Sequence, residues 1–239
     1  PAGEASEVDD VAAAASVPAI KVDASGSVHV KKGNGAWKQH TALKVTDNES
    51  PALTDINGDK FPDVLCMSGG QIGFATMDPN NPAAEWKWNG ISGAPDTKKY
   101  QRYTHGLGCG DVNGDGRTDI LVAQGWWEQP ANWDGKTPWT LHVAPFGKDG
   151  AQMYAYDVNG DKKTDVITSL EAHGYGLAWI EQTATGWTQH LLTGTKTEKG
   201  ETGIIFTQPH AIDFADMNAD GLSDIITGKR VWAHGPSGD

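Results

Sequence analysis

An all-β propeller is predicted for this chain by three observations: four near-copies of one eleven-residue turn, the spacing of those copies, and the scarcity of helix-period apolar stretches. The turn reads Asp-x-Asn-(Gly/Ala)-Asp-x-x-x-Asp-(Val/Ile)-(Leu/Ile) and runs Asp55 to Leu65, Asp111 to Leu121, Asp157 to Ile167 and Asp216 to Ile226. Its starts are 56, 46 and 59 residues apart, a period that suits blades of four strands each. Gly, Pro and Asn punctuate short β-prone runs between the turns, as expected of strands joined by tight connections.

Each turn places side-chain oxygens at positions 1, 3, 5 and 9, a spacing that lets a short curling backbone surround one hard cation. The candidate ligands are Asp55, Asn57, Asp59 and Asp63 with the Phe61 carbonyl, and Asp111, Asn113, Asp115 and Asp119 with the Arg117 carbonyl. The third and fourth sets are Asp157, Asn159, Asp161 and Asp165 with the Lys163 carbonyl, and Asp216, Asn218, Asp220 and Asp224 with the Leu222 carbonyl. Calcium is the expected occupant, up to four ions, because it accepts six to eight oxygens without strict geometry. An EF-hand is excluded: position 12 holds Cys66, Val122, Thr168 and Thr227 where a bidentate Glu is needed. The run after position 9 is instead β-branched and apolar, as in Asp119-Ile120-Leu121-Val122, so each turn is expected to join two strands.

A second repeat fills out the blade. Trp126-Trp127-Glu128-Gln129 and Trp179-Ile180-Glu181-Gln182 predict an aromatic third strand, and Trp139-Thr140-Leu141-His142 and Trp187-Thr188-Gln189-His190 an outer fourth. The third unit carries an insertion around Glu171-Ala172-His173-Gly174-Tyr175-Gly176, either a specificity element or tolerated surface. Val28-His29-Val30 and Trp37-Lys38-Gln39-His40 match the outer half of a further blade, while Arg230-Val231-Trp232 begins a third strand for the fourth unit. The expected organisation is a flexible Ala-rich leader over residues 1–19 and a propeller over 20–239. That propeller, four blade units plus an N-terminal half blade, is expected to be part of a larger ring whose open edges can associate.

Composition narrows the function classes. The net charge of −12 is largely the twelve loop Asp residues, and four calcium ions would bring it to about −4. With no basic cluster, a phosphate-tracking nucleic-acid surface is not expected. No apolar run approaches the ~18 residues of a membrane span. Calcium loops of this type fill where free calcium is high, which argues for a secreted or periplasmic protein. Cys66 and Cys109 suit two small buried thiols better than a disulfide framework.

Segments such as Gly108-Cys109-Gly110-Asp111-Val112-Asn113-Gly114-Asp115-Gly116-Arg117-Thr118-Asp119-Ile120-Leu121 resemble the FG-GAP and VCBS repeats of integrin alpha-chain propellers and exported bacterial proteins. The Trp-x-x-His and Gly-Leu-Ala-Trp-Ile-Glu-Gln patterns look like a planctomycete-type bacterial branch. The resemblance implies recognition of a glycan or protein, and in some members carbohydrate chemistry beside other domains. The fourth turn departs from the pattern with Ala219 where Gly is usual, which predicts steric strain at a positive-φ position.

No nucleophile elbow, His-Glu-x-x-His helix, phosphate loop or dinucleotide fingerprint is present, so no catalytic residue is assigned. The sequence does mark one place where a ligand could sit. His105 and His210 each lie six residues before the first Asp of a turn, with Tyr103 and Gln208 two residues earlier. All four belong at the end of an innermost strand remote from the turns, where imidazoles either border a ligand site or simply cap strands. His173 in the insertion is the further candidate. Two function classes therefore stand: a recognition or scaffold module, or the propeller part of a carbohydrate-active lyase, dehydratase or isomerase.

Overall fold

The computed structural model describes residues 19–22, 28–31, 36, 38–148 and 150–230, the first two stretches by backbone alone. The expected leader up to residue 18, Trp37, Val231 and Trp232 lie outside the described residues. Among the described residues every regular element is a strand. No helix among the described residues is long and apolar enough to cross a membrane.

The turns organise three successive four-stranded blades. The first contains β4 (Asp47–Thr54), β5 (Asp63–Ser68), β6 (Gln71–Thr76) and β7 (Lys87–Gly90) in that order. The second contains β8 (Leu107–Gly110), β9 (Asp119–Val122), β10 (Gly125–Glu128) and β11 (Thr140–Val143). The third contains β12 (Gln152–Tyr156), β13 (Asp165–Ser169), β14 (Leu177–Thr183) and β15 (Gly186–Thr193). Each acidic turn connects the first and second strands of its blade, and the aromatic and Trp-x-x-His segments become the third and fourth. The fourth unit pairs β16 (Ala211–Ala215) with β17 (Asp224–Gly228). The register repeats: the residue before each turn pairs with the position-9 Asp, as Thr54 with Asp63, Gly110 with Asp119, Tyr156 with Asp165 and Ala215 with Asp224.

The N-terminal segment differs from expectation. It forms three antiparallel strands, β1 (Ala19–Val22), β2 (Val28–Lys31) and β3 (Lys38–His40), where the sequence suggested two. Ala-Ile-Lys-Val is too short to display a readable alternation, and pairing with β2 is what makes it a strand.

Strand alternation divides the apolar side chains between successive interblade cores. Leu65 and Met67 of the first blade meet Ile120, Val122 and Trp127 of the second. Leu121 and Trp126, on the opposite face of that blade, meet Met153, Val166 and Ile180 of the third. Ala151, Leu177 and Ile212 continue the pattern toward the fourth unit. Strands β9 and β13 are thus buried on both faces, whereas β16 and β17 are only partly covered. Each fully buried large side chain contributes roughly 1.5–3 kcal/mol, so these seams hold the blades in order.

Near the axis the blades approach so closely that two positions on β8 leave no room for a side chain. Strands β8 and β12 pair in parallel, Leu107 opposite Gln152 through Cys109 opposite Tyr154, fusing the second and third blades into one eight-stranded sheet. A Cβ on Gly108 would overlap the Met153 carbonyl oxygen, and one on Gly110 would overlap Ala155. The glycine-rich run is therefore a packing feature of the inner strand. Two different cores cover the thiols: Cys66 packs with Val64, Ala75 and Trp86, and Cys109 against the seam between the first and second blades; both cysteines are free, and burial pushes Cys66 up to about 12 and Cys109 to about 11.

These contacts predict an asymmetry between two glycines. Gly108→Ala should cost about 1–3 kcal/mol or more in urea unfolding, because backbone must move. Gly114→Ala, in open space at φ +78°, should cost about 1 kcal/mol from backbone strain alone. An equal or smaller loss at Gly108 would contradict the close pairing of β8 and β12.

Candidate functional site

The four turns share one hydrogen-bond scheme. In the second, Asp111 Oδ1 accepts the N–H groups of Gly114 and Asp115 at 2.8 and 3.0 Å, and its Oδ2 accepts that of Gly116 at 2.8 Å. Asn113 and Asp115 accept from the backbone two residues on. Positions 4 and 6 adopt left-handed φ throughout: Gly58 and Lys60, Gly114 and Gly116, Gly160 and Lys162, Ala219 and Gly221. Ala219 takes φ +61°, the strained conformation its place in the repeat predicts.

Position 9 is the buried member. Asp63, Asp119 and Asp165 are fully enclosed, and each accepts through Oδ2 the N–H of its turn's second residue, Ile56, Val112 or Val158, at 3.0 Å. The other oxygen of Asp119 and Asp165 accepts from Gln129 and Gln182 at 2.9 Å, whereas Asp63 Oδ1 is buried without a hydrogen-bond partner. Burial pushes the Asp63 carboxyl up to about 7 and Asp119 to about 6, against the pull of those backbone bonds. Asp165 is raised for the same reason. An orphaned oxygen and enclosed carboxylates without a countercharge fit a cation-binding donor set, with Asp55, Asn57 and Asp59 and their equivalents at the rim.

The second repeat braces this end. Glu128 pairs with His142 at 2.6 Å and reaches Asn113 at 3.5 Å, while Trp126 stacks on His142 with ring centroids 4.2 Å apart. Glu181, His190, Asn159 and Trp179 reproduce the arrangement at 2.9, 3.0 and 4.2 Å. Gln129 donates to the Ile56 carbonyl at 2.9 Å, linking its blade to the preceding turn. The Glu-Gln and Trp-x-x-His signatures are thus a structural relay from outer strand to turn.

At the other end of the inner strands, four chemistry-bearing side chains converge. His105 Nε2 is 3.3 Å from His210 Nε2 and 3.3 Å from Glu49 Oε2, which lies 3.0 Å from His210 Nε2. His173 completes the group, with ring centroids 4.9 Å from His105 and 4.8 Å from His210. The four candidate ligand atoms all lie within 4.8 Å of one another. The His105, His210 and Glu49 side chains are 9, 18 and 27 % exposed, so the cluster is enclosed yet reachable. Burial, and then the neighbouring His105 and His173, lower the His210 pKa and favour its neutral form.

A shared offset underlies the convergence. Glu49, His105 and His210 each lie six residues before the first Asp of their turn, His105 and His210 just ahead of the paired residues of β8 and β16, and Glu49 in the irregular stretch of β4 between Asp47 and Ala52. The third blade has Ala151 there, and His173 enters from that same blade's insertion between β13 and β14. The insertion is held by Gln208, fully buried at φ +61°, which donates through Nε2 to the His173 carbonyl at 2.8 Å. Gln208 Oε1 faces His173 Nδ1 at 3.3 Å. Glu49 is fixed through its N–H to the Thr104 carbonyl at 3.0 Å and through Asn48, whose Nδ2 donates to the same oxygen at 2.9 Å.

Of the five residues marked by sequence, His105, His173, Gln208 and His210 are brought together; Tyr103 stands 65 % exposed and shares none of the cluster's hydrogen bonds. Glu49 was missed, although the six-residue offset that singles out the two histidines also falls on it. The cluster borders the inner strands, where Pro51, Gln152, Tyr154, Ile212 and Asp213 line a cavity of about 630 Å3.

Residues 55–122 and 111–168 match the FG-GAP-like repeat. Each match starts at the first Asp of a turn and reaches the strand after the next turn, so the similarity tracks the loop repeat itself. The fourth turn and the N-terminal sheet lie outside both matches. No curated protein matches the chain. Over residues 55–168, just under half its length, the chain is similar to FG-GAP-like repeats, which accords with its propeller-like all-β fold.

Proposed function

We propose that this chain is a calcium-bound recognition or scaffold module, working in a secreted or periplasmic setting, that engages a glycan or protein with the face opposite its acidic turns. The observation carrying this reading is the division of labour along the inner strands. One end repeats a cation-type loop four times, while the other gathers Glu49, His105, His173 and His210 from different blade units. Calcium in the loops would neutralise the enclosed position-9 carboxylates and stiffen the turns that fix strand register. Such sites suit compartments with millimolar calcium.

A second reading keeps the propeller as part of a carbohydrate-active lyase, dehydratase or isomerase. It is favoured by the contact of the Glu49 carboxylate with two imidazoles, one of them held toward its neutral form by burial. Release of an unsaturated sugar from polysaccharide, followed by ultraviolet absorbance, would decide for it.

Calcium should contribute about 0.4–1.4 kcal/mol per loop at millimolar concentration if affinities are ~10⁻⁴ to 10⁻³ M. Chelation is therefore expected to lower the melting temperature, with elemental analysis finding calcium in the untreated protein. An unchanged melt and no bound metal would remove calcium from the account. The pH dependence has a definite sign in chelator. Because burial raises the Asp63 and Asp119 pKa values to about 7 and 6, their stabilising protonated forms are fully present below about 4 and lost as pH rises through those values. The chelated protein should lose stability from pH 5 to 7.5, and Asp63→Asn should flatten part of that fall.

The recognition face is tested with a panel of immobilised polysaccharides and extracellular-matrix proteins in calcium buffer. Replacement of both His105 and His210 by Ala should abolish capture while the calcium-dependent melt persists. Equal capture by the double variant would place recognition elsewhere on the molecule.

A further inference from the structure

We propose that Glu49, His105, His173 and His210 form a binding site for one divalent transition-metal ion of the zinc class, separate from the acidic turns. The proposal deepens the assignment of function to this face and rests on it.

The donor chemistry differs from that of the turns. Three imidazoles and one carboxylate suit zinc and its first-row neighbours, whereas all-oxygen turns suit calcium. The spacing agrees. With metal–ligand bonds of about 2.0–2.1 Å, the edges of a tetrahedron are about 3.3–3.4 Å. Three edges here are 3.3, 3.3 and 3.0 Å, and the fourth ligand atom lies within 4.8 Å of the rest. Small side-chain rotations would bring it to the same centre.

The surrounding shell is built to orient these ligands. Gln208 offers Oε1 to His173 Nδ1, which selects the tautomer with a lone pair on Nε2, and its amide orientation is set by the bond to the His173 carbonyl. Supporting contacts of this kind raise metal affinity by aiming the imidazole. Asn48 and Gln208, both non-glycine residues in left-handed conformation, hold the backbone beside Glu49 and His210. Backbone strain of this sort collects where a site over-determines its geometry. The third blade adds a further sign: lacking a ligand at Ala151, it provides His173 from its insertion, so each of four blade units contributes one donor. A carboxylate and three neutral imidazoles leave one positive charge on a divalent ion, and the partial exposure of Glu49 and His210 gives solvent a route to it.

The test uses the whole chain, stripped of trace metal with chelator and returned to calcium buffer. After incubation with zinc and desalting, elemental analysis should find one zinc per chain, and titration of the stripped protein with Co2+ should give visible absorption of a four- or five-coordinate ion that zinc displaces. His105→Ala with His210→Ala should weaken zinc binding at least ~100-fold, and Gln208→Ala by about 10–100-fold through loss of ligand orientation. His142→Ala, on the outer strand, should retain full zinc binding. Wild-type protein that takes up no stoichiometric zinc and gives no visible cobalt spectrum overturns the site. Zinc binding unchanged in the double variant does the same. Calcium-dependent melting, recorded in parallel, separates failure of this site from failure of the calcium reading. Should the double variant not fold, His210→Gln and the wild-type cobalt spectrum decide the matter.

Discussion

The carboxylate at position 9 of each turn, buried in the first three and partly covered in the fourth, is the constraint from which the rest of the blade follows. By accepting an N–H from position 2 of its own turn, it ties the end of the innermost strand to the start of the next. A one-residue slip would move that carboxylate out of reach and reverse every side chain on the strand. Register is therefore anchored at the turn and transmitted along four to eight residues to the far end of the strand. Just beyond the regularly paired residues, His105 and His210 meet Glu49, which sits in the irregular stretch of β4 between Asp47 and Ala52.

Rigidity between blades comes from different contacts at different radii. Near the axis, glycine permits direct backbone pairing of β8 with β12. Farther out, apolar seams such as Leu65, Ile120 and Trp127 take over. At the turn end, Gln129 and Thr164 reach the backbone of the preceding turn at 2.9 and 2.7 Å. The imidazoles of His142 and His190 complete this bracing through Glu128 and Glu181. Histidine thus has two roles in one fold, and the distinction is positional: outer-strand histidines stack on Trp and pair with Glu, while inner-strand histidines meet one another.

The two ends of the inner strands also differ in electrostatics. Twelve Asp residues crowd the turns, where enclosure disfavours the ionised form of the deepest ones. At the opposite end the cluster sets the Glu49 carboxylate among three imidazoles. The proposed calcium suits the first environment and the proposed zinc-class ion the second, because ligand type governs which ion a site prefers.

Blade architecture was legible in the sequence because it repeats: equal offsets from Asp55, Asp111, Asp157 and Asp216 mark the turn and the strand after it, and the second and third units share the aromatic and Trp-x-x-His segments. Strain at Ala219 was legible too, since a positive-φ position announces itself by glycine in the other copies. The pairing of His105 with His210 could be anticipated from their shared offset, and Glu49 obeys the same rule, although a glutamate among histidines hides the equivalence. What only the tertiary structure decided were the contacts made between units. That His173 closes the group, that Gln208 rather than Tyr103 supports it, and that Ala-Ile-Lys-Val becomes a strand all depend on which segments meet in space. Sequence periodicity carries strand register within a blade, whereas the meeting of an inserted loop with a neighbouring blade is set by packing, which no local pattern encodes.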